Sequence, residues 1–264
     1  MTSDKVQKIP VGAEFLQLLE DLENDCLAGT TKRLSELGKV APQTLEHLGT
    51  VLSLLDRLAS CHWGCNGGDH IAEYLAGRCC SSSRASFRLI RHGYYDESLA
   101  LTRSIAETAN LLFLFWRQPT SFEQWKKADK SARLREFGPA AVRKRLEAAN
   151  VPLPADTTRY SEFCEIATHV TPATKPQAHN PLQVPTLGGY FQAGGYLMAL
   201  NELSGMIAMA TFASSRLVRL DQPIAKQIAA ASVELLRNTG GIDILSIRQA
   251  LDQSKNNKEG TSAA

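Results

Sequence analysis

The chain has 264 residues, of which 44% are hydrophobic, 21% charged and 7% aromatic, with a formal net charge of +2. This balance excludes disordered and fibrous classes, and the near-neutral charge excludes a histone-like polycation. Six cysteines are too sparse for a disulfide-stapled secreted scaffold, and no basic start leads into an apolar run at 1–10, so the expectation is a cytoplasmic protein with reduced thiols.

Helical periodicity dominates. Phe15, Leu18, Leu19, Leu22 and Cys26 recur at steps of three and four, as on one helical face, and define an N-terminal helical segment over 1–41. A bundle is expected over 42–253. It begins with Pro42 opening a helix that carries Leu45, Leu48, Val51, Leu52, Leu55 and Leu58. Asp69 is the expected N-cap of a helix running towards His92 and stopped by Gly93. Asp96 caps the next, Glu97 to Trp116, whose apolar stripe is Leu101, Ile105, Thr108, Leu112 and Phe115. Its later half is apolar nearly all round, which places it at the centre. Polar helices follow over about 121–136, 139–149 and 157–168. Four prolines, Pro172, Pro176, Pro181 and Pro185, then exclude sustained helix and leave a strap over 170–187. A long helix over about 190–218 is next. Its surroundings, Leu187 to Ser215, carry Glu202 as the single charge, yet small and polar residues there favour a closely packed buried helix over a membrane span. Pro223 opens a helix to about Asn238. Gly240 and Gly241 break it, a short helix runs to about Gln253, and the tail 254–264 reads as disordered. No alternating strand is present, so the fold class is all-α: a multi-helix bundle crossed by a proline-rich loop.

Three groups of residues carry chemistry. Arg103 and Glu107 are four apart on the central helix and can pair, with Asn110 on the same side. Buried charges need partners, so this is either an ion pair tying helices together or a polar pocket. His169, at the end of a helix, is the candidate proton-transfer group of that pocket. Second, Cys61, Cys65 and His70 offer zinc ligands around a glycine turn, with Cys79 and Cys80 one helix on. The spacing matches no common structural zinc motif, and a plain helix–helix corner is the other reading. Third, residues 126–145 hold eight Lys or Arg against two acids. Lys126, Lys127, Lys130, Arg133, Arg143 and Lys144 are the candidate nucleic-acid contacts. The interleaved Phe122, Trp125 and Phe137 either stack on bases or form the core side. Phosphate-loop, dinucleotide, serine-elbow and His-Glu-x-x-His motifs are absent.

The stretch Arg91-His-Gly-Tyr-Tyr-Asp-Glu-Ser-Leu-Ala-Leu-Thr-Arg-Ser-Ile-Ala-Glu107, with Tyr160-Ser-Glu-Phe-Cys-Glu-Ile-Ala-Thr-His169, resembles an uncharacterised bacterial all-helical family of unknown function. That family is distantly similar in outline to HEPN domains, small helical bundles that often dimerise and include metal-independent ribonucleases of stress and phage-defence systems. The resemblance implies a helical bundle with Arg103, Glu107 and His169 as its polar centre, no cofactor, RNA as a partner, and a homo-oligomer or protein partner. The HEPN spacing of Arg and His is met here by Arg57 and His62, at the glycine corner. The alternative expectation is a non-catalytic helical interaction or oligomerisation module.

Overall fold

The computed structural model describes residues 10–65, 67–169 and 189–239. Among the described residues there are ten α-helices and no strand, which makes the fold an all-α multi-helix bundle. The strap at 170–187, the short helix after Gly241 and the tail lie outside the described residues.

Two helices form the centre. α4 (Tyr95–Arg117) buries Leu99, Ile105, Ala106, Ala109 and the run Leu112 to Phe115. α9 (Ala193–Leu217) is buried on nearly every side from Leu203 to Ser215. The small side chains of Ser204, Gly205, Ala208, Ala210 and Ala213 let neighbouring backbones approach closely. α3 (Ile71–Arg91), α2 (Val40–Ala59) and α10 (Gln222–Thr239) close the remaining sides of α9. By length and composition α9 could cross a membrane, but 78% of its most apolar window is buried inside the bundle.

Some polar groups between the helices pair with one another, whereas the Ser204 and Ser214 hydroxyls of α9 are buried without a partner among the described residues. Between α3 and α4, the Ser86 and Ser98 hydroxyls lie 2.8 Å apart, and Thr102 donates to the Ser98 carbonyl at 2.9 Å. Tyr95 accepts from the Gln192 backbone N–H at 3.1 Å and so fixes the entry to α9. α1 (Ala13–Arg33) is held more lightly, by Thr30 donating to the Arg91 carbonyl and Tyr94 donating to Glu23. Its expected face is only partly covered: Cys26 is buried, but Phe15, Leu18, Leu19 and Leu22 are half-buried.

Three local expectations are corrected. The helix expected over 121–136 is two, α5 (Pro119–Lys127) and α6 (Lys130–Phe137), because Asp129 is extended and its carboxylate caps the Ala132 N–H at 2.8 Å. The cap of α3 is His70 rather than Asp69, although Asp69 still accepts from the Ile71 N–H. At α4 the flanking residue is Tyr94, and Asp96 sits in the first turn. α7 (Pro139–Ala148) is as expected. The helix expected over 157–168 is α8 (Thr157–Phe163) followed by a π-turn, Cys164–Thr168.

Gly93 and Gly195 are needed where backbones meet. Gly93 has φ +83°, and a Cβ there would lie 2.5 Å from the Tyr190 backbone nitrogen. A Cβ on Gly195 would meet the Tyr95 ring at 2.6 Å. Gly195→Ala is therefore expected to lower stability by about 1–3 kcal/mol through overpacking, measured by urea unfolding. An unchanged midpoint would show that Tyr95 yields freely.

Burial pushes the Tyr95 and Tyr196 phenols up to about 12, and burial followed by the hydrogen bond to Glu23 does the same for Tyr94. The unfolded chain ionises first as pH rises, near 10, so the stabilisation is complete below that value and is lost as pH rises to about 12. Thermal melts should decline across this window, and Tyr196→Phe should flatten the decline.

Candidate functional site

The polar centre lies where α4 meets α7, α8 and the π-turn. Arg103 Nη2 is 3.0 Å from Glu107 Oε1, the i,i+4 pair expected from spacing. The same nitrogen donates to the Tyr160 hydroxyl at 2.6 Å. Tyr160 is also flanked by two guanidinium groups, with Arg103 4.8 Å and Arg143 4.0 Å from its ring centroid. Both distances are within cation–π range.

Neighbouring contacts fix Tyr160. Asn110 donates to the Ala155 carbonyl at 2.8 Å and accepts from the Ala155 N–H at 3.2 Å, which pins the segment leading into α8. Asp156 then caps the Arg159 N–H at 2.8 Å. Arg159 pairs with Glu202 of α9 at 2.9 Å, so the one acid on that apolar helix is matched. Desolvation raises the Tyr160 phenol, although the Arg103 hydrogen bond works against it. Burial alone would lower Arg103, but Tyr160 and then Glu107 outweigh it and keep it charged.

Arg103 and Arg143 differ in their partners. Arg103 has a carboxylate and a phenol. Arg143 is 8% exposed, and its Nε and Nη1 are enclosed with no hydrogen-bond acceptor among the described residues. A buried cation without a counter-charge is costly and is stabilised by an anion.

The remaining candidates are dispersed. His169 is exposed at the end of the π-turn, and its backbone N–H donates to the Cys164 carbonyl at 2.8 Å. Lys126 bridges Asp69 at 3.0 Å and Glu123 at 2.7 Å. Lys127, Lys130, Arg133 and Lys144 are exposed. Phe122, Trp125 and Phe137 surround Phe115, with ring centroids 4.9, 5.4 and 6.3 Å away, so these aromatics are the core side of the basic helices. Arg145 donates to Gln118 at 2.8 Å and to Ser121 and locks α7 onto α5.

At the glycine corner, Cys61, Cys65 and His70 converge, with their ligand atoms all within 4.8 Å of one another. Hydrogen bonding to Cys65, then desolvation, holds the Cys61 thiol above its ordinary value. Cys79 and Cys80 are buried in the core instead, and burial pushes the Cys79 thiol up to about 12.

The sequence reading missed Tyr160 and the burial of Arg143. Their signals were an aromatic opening the segment that ends at His169 and an arginine at an inward position of α7. Tyr160→Phe keeps both ring contacts but removes the acceptor for Arg103, so urea unfolding should show a loss of about 1 kcal/mol. Tyr160→Ala should lose about 1–2 kcal/mol more through the two cation–π contacts. Equal losses in both variants would mean that the ring contacts contribute nothing.

Residues 69–158 match the model of a family of unknown function (DUF5677). That segment includes Arg103, Glu107, Asn110 and Arg143 and stops just before Arg159 and Tyr160. No curated protein matches the chain, and no solved structure does. The resemblance of Arg91 to Glu107 thus agrees with a match to an uncharacterised domain family.

Proposed function

We propose that this protein is a HEPN-like helical RNA-binding protein of the bacterial cytoplasm, acting in stress or phage defence, and that it cleaves RNA without a metal. The observation that carries this reading is the buried Arg143 guanidinium, stacked on Tyr160 with Nε and Nη1 unaccepted, beside Arg103 on the same ring. Two guanidiniums on one aromatic ring suit a phosphodiester, since the planar fork matches phosphate oxygens and the ring fixes its direction.

In this reading Arg143 and Arg103 hold the phosphate and offset charge as it develops there. Glu107 orients Arg103. His169 takes the proton of the ribose 2′-hydroxyl as its oxygen attacks phosphorus, the bond to the 5′-oxygen breaks, and that oxygen takes a proton from water, leaving a 2′,3′-cyclic phosphate and a 5′-hydroxyl. The exposed Lys127, Lys130, Arg133 and Lys144 give the sequence-independent part of binding. Lys126 is occupied by Asp69 and Glu123 and contributes less.

A second reading, a non-catalytic helical module that binds a protein or oligomerises, draws on the Arg103–Glu107–Tyr160 network, in which Arg103 Nη2 already serves both the carboxylate and the phenol.

The test is binding and cleavage of total RNA with a chelator present. Wild type should bind with a strong salt dependence, and the slope should fall by about 0.7 for each phosphate contact removed in a Lys127/Lys130/Arg133/Lys144→Ala variant. Arg143→Met keeps the stem's volume and should weaken binding about tenfold or more through loss of a charge-assisted contact. His169→Ala should bind normally and lose chelator-resistant cleavage. RNA binding without cleavage by wild type would retain the binding and sink the nuclease; no salt-dependent binding would move the assignment to the interaction module.

A further inference from the structure

We propose that Cys61, Cys65 and His70 form a zinc site with two thiolates, one imidazole and an open fourth position, and that Glu73 orients the imidazole. Cys65 Sγ is 3.8 Å from His70 Nε2, Cys61 Sγ is 4.0 Å from the other ring nitrogen, Nδ1, and the three ligand atoms lie within 4.8 Å of one another. A tetrahedral zinc with ordinary bond lengths sets sulfur and nitrogen about 3.6 Å apart, so Cys65 and Nε2 are nearly in place and the exposed Cys61 side chain turns to the ion to complete the set. Soft sulfur with imidazole is the donor set that selects zinc over the hard cations.

Local structure supports these positions independently. The Gly67 N–H donates to Cys65 Sγ at 3.4 Å, an arrangement that stabilises a thiolate. Glu73, on the first turn of α3, places Oε1 3.6 Å from His70 Nδ1. That leaves Nε2 for the metal, and a short approach of Glu73 to Nδ1 on binding would complete the carboxylate–histidine–metal relay in which an outer carboxylate fixes the ring. His70 itself sits at φ +55°, a conformation uncommon for a residue with a side chain. The turn that brings it there uses Gly64, Gly67 and Gly68, all at positive φ. None of the three has a neighbour within 4 Å of an added Cβ. The glycines therefore serve the path of the backbone, and that path brings His70 back over Cys61 and Cys65. Cys61 and Cys65 are exposed, so ligand and ion have access.

The probe is Co2+ added to the reduced, full-length protein and followed by its visible ligand-field and thiolate charge-transfer bands, with Zn2+ then displacing it. Binding of one equivalent with tetrahedral bands is expected. Cys65→Ser and His70→Ala, at sites outside the core, should keep the helical circular dichroism and lose the bands. Glu73→Gln should retain the bands and bind about 10–100-fold more weakly. Absence of thiolate bands in wild type, or bands that persist in Cys65→Ser and His70→Ala, would overturn the site. Unchanged affinity in Glu73→Gln would overturn the role given to Glu73.

Discussion

The enclosure of α9 governs this molecule. A helix apolar on all sides cannot leave any face to water, so other helices must cover it around its whole circumference. α4, α3, α2 and α10 do so. Its small residues permit approach close enough that Gly195 rests on the Tyr95 ring. One acid, Glu202, interrupts this apolar surface, and half-burying it calls for a cation. Arg159 supplies it from α8. Successive residues on a helix are turned by roughly 100°, so an Arg159 aimed at α9 sends Tyr160 to a different neighbour. That neighbour is the α4–α7 wedge holding Arg103 and Arg143. The core requirement of one helix thus places the aromatic centre of the polar cluster.

Within that cluster, charge is distributed unequally over similar groups. Both guanidiniums approach the negative face of the Tyr160 ring, but a ring quadrupole compensates a buried cation only in part. Glu107 completes the compensation for Arg103. Arg143 has the ring and nothing more among the described residues. Vacant hydrogen-bonding capacity is therefore greatest on the α7 side of the ring, at Arg143 Nε and Nη1, with Arg103 Nε the one such atom of its partner across the ring.

The sequence disclosed those features that depend on residues close in the chain. Arg103 and Glu107 are one turn apart, and the apolar half of α4 is a continuous run, so both could be read directly. Pro42 and Pro223 marked first helical turns in the same way. Relations across long separations were not legible. Tyr160 meets Arg103 from 57 positions away, and Arg143 lies in a basic run where a solvated side chain is the ordinary outcome. The packing of α7 on α4 turns it inward. The break between α5 and α6 was missed because the helical period continues through it; the deciding factor is Asp129, whose capping hydrogen bond to Ala132 competes with continuing the helix.

The glycine corner and the basic helices touch through one ion pair, Lys126 with Asp69, the residue next to His70. Asp69 is largely exposed, and an exposed, solvent-screened pair contributes little. α5 is held far more firmly by Phe122 and Trp125 against Phe115, since each buried aromatic ring contributes more. Occupation of the corner by a metal therefore has little leverage on the position of α5 or on the lysines after it. The polar cluster around Tyr160 draws its geometry from Asn110, Arg159 and Glu202, none of which belongs to the corner. The proposed metal binding at one end and the proposed anion binding at the other are therefore separable in this scaffold.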